Sequence, residues 1–313
     1  MAATVELIDP RKIQKNPDNP RLIFRQDELD ELRESINDQG ILVPLSVFKD
    51  GRHFTLLDGE RRWRCAIDLG LHNVPAIVQD KPDPVTNIMM MFAIHNARKD
   101  WDPLPTALKL EELEKMLVGP HGEAPTEAKL AAAASISRGE VRRYRKILAI
   151  PKRFRRLLLQ ELEKPRPEQK VTVDQVVEAV DGAKRLVKAR ILEKDEASHL
   201  TQTIVDKFRA EILTSTVEPR RLTKIASAVE RGEVSRAQVQ RQLRRFESTE
   251  KCTLNEVYES TVQQLEFARG TEQLLTRTVT RLQQLRSKDV EVTEELRTAL
   301  QNALKEIRAL LGS

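Results

Sequence analysis

Every strand signal in this sequence falls before residue 80, and the later stretches repeat their apolar residues at helical spacing. Val5 to Ile8, Leu42 to Phe48, Phe54 to Leu57 and Val74 to Val78 read as short strands, set off by turn residues such as Asn16-Pro17-Asp18-Asn19-Pro20 and Lys49-Asp50-Gly51-Arg52. Two helices are interleaved with them. One begins near Asp27, carries Leu29, Leu32 and Ile36 on one face and stops at Gly40; the other follows Asp58-Gly59, carries Trp63, Ala66 and Ile67 on one face, and ends at Gly70. The distribution dictates an α+β N-terminal domain followed by all-α segments.

Composition narrows the partners. Aromatic residues are 4% of the 313 and charged ones 32%, which suits small cores and wetted helix surfaces. The balance of 53 Lys+Arg against 48 Asp+Glu gives only +5, so a nucleic-acid signal has to come from where the charge sits. Cys65 and Cys252 provide neither a disulfide framework nor metal-ligand spacing. No apolar run reaches membrane-span length, and the first twenty residues are charged and Pro-rich, so a cytoplasmic protein with no membrane partner is expected.

The second helix opens Gly59-Glu60-Arg61-Arg62-Trp63-Arg64, putting three arginines in its first turns. Cations oppose the helix dipole there, whereas an anion is favoured by the dipole and by unpaired N–H groups, and Gly59 admits a phosphate close to the main chain. The alternative is that the arginines are solvated or paired with carboxylates such as Glu60. This stretch resembles the Gly-Glu-Arg-Arg motif of the ParB family of DNA-partitioning proteins. The resemblance extends to Asn16-Pro17, Asn19-Pro20-Arg21, Ser35-Ile36 and Gly40-Ile41-Leu42-Val43-Pro44, in order and spacing. It implies an N-terminal domain binding CTP with Mg2+, a helix-turn-helix reading a palindromic site on double-stranded DNA, and a homodimer that closes as a clamp.

The residues it assigns to the nucleotide are Gly59, Glu60, Arg61, Arg62, Arg64, Asn96 and Arg98. A second family motif, Glu-Asn-x-x-Arg, is matched only in part by Ile94-His95-Asn96-Ala97-Arg98. Ile94 and His95 stand where the family has the carboxylate and amide that hold magnesium and assist hydrolysis. Isoleucine cannot ligate, and imidazole suits a hard cation poorly. Nucleotide binding is expected, hydrolysis is weak or absent, and no metal ligand is identified.

Thr126 to Leu148 carries a second constellation. Leu130-Ala131 lies on a short helix, Ser135-Ile136-Ser137 makes a turn, and Ser137 with Glu140 forms a capping box for a helix with Val141 inward. Ala131 is small enough for a close helix crossing, and its spacing to Val141 is that of a helix-turn-helix. Ser135 stands where such turns favour a glycine at positive φ. From Arg138 to Arg156, nine basic residues stand against Glu140 alone. A recognition helix in the major groove needs that distribution, and its DNA-contacting set is Ser137, Arg138, Glu140, Arg142, Arg143, Arg145 and Lys146.

Asp102-Pro103 starts a helix toward Val118, with Leu110, Leu113 and Leu117 inward. Further helices are expected at Phe154 to Glu161, Thr172 to Ala189, Glu196 to Ile212 and within Pro219 to Phe246, the last divided at Gly232 and recapped by Ser235. Beyond Ser248, Leu254, Val257, Thr261, Leu265 and onward to Leu285 keep three- and four-residue steps, and the pattern resumes from Val292 to Leu310. Two amphipathic helices of that length need each other or a second chain. The organisation expected is 1–118 nucleotide binding, 124–247 helix-turn-helix with supporting helices, and 252–313 dimerisation. The function expected is CTP-gated, sequence-specific DNA binding in plasmid, chromosome or mobile-element partition. A ParA-like ATPase is a partner the resemblance allows, although no basic, Gly- and Leu-containing tail precedes Val5. A transcriptional regulator built from the same parts, or a ParB-like nuclease or phosphotransferase, are the alternatives.

Overall fold

The computed structural model describes residues 5–96, 102–119, 121–288 and 291–312, with the backbone but not the side chains of His95 and Asn96. Five strands, β1 (Val5–Ile8), β2 (Ile13–Gln14), β3 (Leu45–Asp50), β4 (His53–Asp58) and β5 (Val74–Gln79), form one sheet in the order β1-β5-β3-β4-β2. β1 runs antiparallel to β5, β5 parallel to β3, β3 antiparallel to β4, and β4 parallel to β2. The sequence reading lacks β2. Its two residues, paired with Phe54 and Thr55, are too few to show an alternation. β3 also starts at Leu45, after the expected Leu42. Pro44 has no N–H to give a ladder, and Leu42 and Val43 before it are solvent-exposed.

One helix lies on the sheet and a second packs on that helix. α1 (Gln26–Gln39) packs on α2 (Glu60–Asp68), with Leu29 and Ile36 against Cys65, while Ala66 and Trp63 of α2 lie over Ile8, Leu45, Leu56 and Val74. The helical half begins with α3 (Pro84–Asn96) and α4 (Pro103–Met116), then α5 (Glu127–Ala133) and α6 (Arg138–Leu148). Ile88, Phe92, Leu110 and Leu113 share a core with Leu130 and Val141. Packing is therefore continuous across the loop at Gly119, which links elements of one core and does not divide two. The other end of α4, Leu104 and Ala107, enters the largest core with Ile147, Ile150 and Phe154.

That core is built by α7 (Lys152–Glu163), α8 (Val173–Lys188), α9 (Lys194–Arg209), α10 (Val217–Glu230), α11 (Arg236–Ser248) and α12 (Leu254–Glu259). α8 and α10 cross closely at Gly182, where an added Cβ would lie 2.8 Å from the Pro219 carbonyl oxygen. Leu254 and Val257, read from sequence as the start of a C-terminal stripe, are buried in this core on the separate helix α12. The C-terminal helices are α13 (Gln263–Ser287) and α14 (Glu294–Leu311), and neither has a buried residue. Phe267 and Leu310 are 78% and 83% exposed. No described helix is long and apolar enough to cross a membrane. Both cysteines are buried free thiols.

Candidate nucleotide and nucleic-acid sites

The strand-to-helix junction has the form that the sequence requires. Gly59 is the N-cap of α2 at φ +95°, and no side chain caps that helix end. A Cβ there would stand 2.5 Å from Leu45 Cδ2 and within 3.2 Å of the Arg62 guanidinium, so glycine is needed for space as well as for φ. With no capping side chain, the first-turn N–H groups of α2 are directed at whatever lies beyond Gly59.

The arginines are already engaged. Arg62 donates to the carbonyls of Val43 and Pro44 and, at 2.9 Å, to Asp58 Oδ2. Arg61 donates at 2.7 Å to the Glu28 carbonyl oxygen. Arg64 donates to Glu60 Oε1 at 2.6 and 3.0 Å, and its guanidinium lies 4.0 Å from the centroid of the Phe24 ring. Of the two readings of this triplet, pairing within the protein is the one realised in this conformation. Glu60 is turned inward, accepting from Asn19 Nδ2 at 2.7 Å as well as from Arg64. Its carboxylate orients Arg64 and does not face outward as a ligand. The Arg62 bonds draw Val43 and Pro44 onto the head of α2, so the Gly40 to Pro44 segment and the arginine helix are adjacent. Arg98 lies outside the described residues, as do the side chains of His95 and Asn96. Among the described residues no cluster of three His, Cys, Asp or Glu side chains could hold a metal ion.

Sequence reasoning missed the tier behind these arginines. Arg25, 2% exposed, donates to both Asp102 oxygens at 2.8 and 2.9 Å and to Glu28 at 3.1 Å. Arg21 pairs with the same Glu28 at 3.1 Å. Burial, and then the neighbouring Arg61, pulls the Arg21 guanidinium below its ordinary value. The available signal was Asn19-Pro20-Arg21 itself, a polar turn with no evident exposed role.

The helix-turn-helix has the predicted caps. Ser137 Oγ accepts from the Glu140 N–H at 3.1 Å, and Glu140 Oε2 accepts from the Ser137 N–H at 2.8 Å. Ser135 adopts φ +53°, the left-handed turn that usually takes glycine, at a cost of about 1 kcal/mol. Ala131 is buried at the crossing, Val141 and Ile147 face inward, and Ser137, Arg138, Glu140, Arg142, Arg143, Arg145 and Lys146 are all exposed. The charge is less unopposed than the local count suggested. Arg143 pairs with Asp174 at 3.0 Å, Arg145 with Glu114 at 2.6 Å, Lys146 with Asp181 at 3.2 Å, and Arg142 loosely with Glu127 at 3.7 Å.

A mixed sheet domain with an uncapped, Gly-entered helix is followed by a helix-turn-helix that shares a core with α3 and α4. Residues 1–95 match the family model described as the ParB N-terminal domain. The chain is 40% identical over 95 residues to the chromosome-partitioning protein ParB of Myxococcus xanthus, covering 30% of this chain and 32% of that one. It is 32% identical over 155 residues to stage 0 sporulation protein J of Bacillus subtilis, covering 50% and 52%. Among solved structures it is similar to the C-terminally truncated chromosome-partitioning protein ParB from Caulobacter crescentus complexed with CTP-gamma-S, at 28% identity, 50% and 85% coverage and a TM-score of 0.29. Residues 1–95 are thus similar to the ParB N-terminal domain. The chain's matches span about half or less of the length of these two curated relatives.

Proposed function

We propose that this protein is a dimeric, sequence-specific DNA-binding partition protein whose hold on DNA is gated by CTP with Mg2+. The observation that carries the reading is the union, in one chain, of the ParB N-terminal domain and a capped helix-turn-helix whose recognition helix exposes its N-terminal half. The names of the curated relatives support the partition role. In this reading the first-turn N–H groups of α2 and Gly59 receive the phosphates, and Arg62 exchanges its carbonyl partners for phosphate oxygens. Magnesium, when bound, would neutralise phosphate charge and would ask few ligands of the protein, since it keeps most of its waters. Ser137, Arg138 and Arg142 sit where a recognition helix meets base edges, with the flanking cations on phosphates. The apolar faces of α13 and α14 form the dimer contact.

Isothermal titration with the four ribonucleoside triphosphates, with and without a duplex selected from a random library, tests the reading. Preferential CTP binding that requires Mg2+ is expected, together with a palindromic selected site. Equal affinity for all four nucleotides, or selection of no sequence, would overturn the nucleotide or the DNA half respectively. Phe267→Glu with Leu274→Glu should convert a dimer to a monomer in light scattering.

A further inference from the structure

The recognition helix is flanked by carboxylates that its own stability does not require. α6 is fixed to the body by apolar contacts: Val141 in one core, Ile147 in the other, with Val176 and Val180 of α8 in the second. Yet four of its exposed cations meet acids from three other helices. Asp174 and Asp181, seven residues apart on α8, lie on one face of that helix and take Arg143 and Lys146. Glu114 of α4 takes Arg145 on the opposite flank of α6, and Glu127 of α5 approaches Arg142. Asp174 and Asp181 are 57% and 39% exposed. Pairs this wet add little to folding. Their effect on a polyanion is larger, since each acid cancels a cation that would otherwise release a counterion from DNA, and repels the phosphate as well.

We infer that Asp174 and Asp181 suppress sequence-independent DNA binding by holding Arg143 and Lys146 against α8. Sequence-independent affinity comes almost wholly from phosphate contacts, so it is the mode such masking weakens most. Base-edge contacts from Ser137, Arg138 and Arg142 do not pass through these two pairs. The inference rests on the DNA-binding reading and adds to it a determinant of specificity outside the recognition helix.

The test measures binding of the full-length protein to a fluorescent 24-base-pair duplex of random sequence across a salt series. Wild type is compared with Asp174→Asn/Asp181→Asn, with Asp174→Glu/Asp181→Glu, and with Glu31→Gln/Glu34→Gln on α1, which removes the same charge from a helix that packs elsewhere. The Asn pair should bind the random duplex about tenfold more tightly at 100 mM salt. Its plot of log affinity against log salt should steepen by about two, close to the 0.9 expected per freed cation. The Glu pair and the α1 pair should follow wild type. A melting temperature near wild type for the Asn pair excludes loosening of α6 as the cause. If the Asn pair binds like wild type, or the α1 pair gains as much, the inference is overturned while the DNA-binding reading stands. If no variant binds any duplex even at low salt, both are overturned.

Discussion

Arg25 and Asp102 form a two-bonded pair, 2.8 and 2.9 Å, that closes the N-terminal domain onto the start of α4. Asp102 is the N-cap of that helix by backbone, as its sequence position before Pro103 suggests, but its side chain makes no capping bond. The carboxylate serves Arg25 instead. Because Arg25 also bonds the Glu28 carboxylate, and the Glu28 backbone carbonyl receives Arg61, the pair links the arginine helix to the helical half through Arg25, Glu28 and Arg61.

Asp102→Ala should therefore cost more than a lost cap. It leaves a guanidinium that is 2% exposed with Glu28 as its remaining acidic partner among the described residues, a defect of about 3 kcal/mol where a cap alone is worth about 1. Urea unfolding should show the larger value. A loss below about 1 kcal/mol would mean that Glu28 and water satisfy Arg25 without Asp102.

Arg62→Ala should lose nucleotide binding and also loosen the fold. The guanidinium is 14% exposed and ties Val43, Pro44 and Asp58 together. Sequence alone suggests a surface phosphate contact that can be removed without structural cost. The bonds to two carbonyls argue for about 1–3 kcal/mol of destabilisation. Triphosphate titration and thermal melting on the same sample separate the two effects.

Much of the site was legible because its signals are local. The Ser137–Glu140 capping box, the positive φ at Ser135 and the Gly59 helix entry each depend on a few consecutive residues, and each is present. What escaped is non-local. Asp174, Glu114 and Asp181 stand 31, 31 and 35 residues from the cations they hold, so a charge count along α6 could not include them. The break between α12 and α13 escaped for another reason. No glycine or proline lies between Glu259 and Gln263, and the helical spacing continues on both sides. Periodicity records which face is apolar, not which core receives it.

Glu218, buried at the start of α10, gives a pH signature. Burial raises its pKa, and this outweighs the Asn255 N–H, which bonds Oε2 at 3.3 Å, and the charge of Arg221. A folded value above the unfolded one means that its contribution is fully present below the unfolded pKa and is lost as pH rises through the folded one. Glu218→Gln keeps an acceptor and cannot ionise. It should melt at a higher temperature than wild type at neutral pH and converge with it below about pH 4. A variant less stable at pH 7 would show that the ionised carboxylate is favourable there.

Hydrolysis is where this chain departs from the family it resembles. A clamp that opens by cleaving its nucleotide needs an ion on the phosphates and a group to position water, and the family motif supplies both in part through a carboxylate and an amide. Here those positions are Ile94 and His95. The two acids that flank Gly59 are both engaged, Asp58 with Arg62 and Glu60, 6% exposed, with Asn19 and Arg64, so neither stands in for the missing carboxylate in this conformation. On the proposed reading, nucleotide binding should persist without that carboxylate, because magnesium asks few ligands of a protein, while the attacking water would lack a group to orient it. DNA-stimulated CTP turnover should be slow or absent in the wild type. Ile94→Glu combined with His95→Asn should raise it by about tenfold, a partial restoration beside the roughly 10²–10⁴-fold that a positioned acid–base group contributes. Phosphate release with CTP, magnesium and selected duplex, wild type beside the double variant, measures this directly. Brisk release from the wild type would show that another residue carries the ion, and Asn96 is then the first to replace.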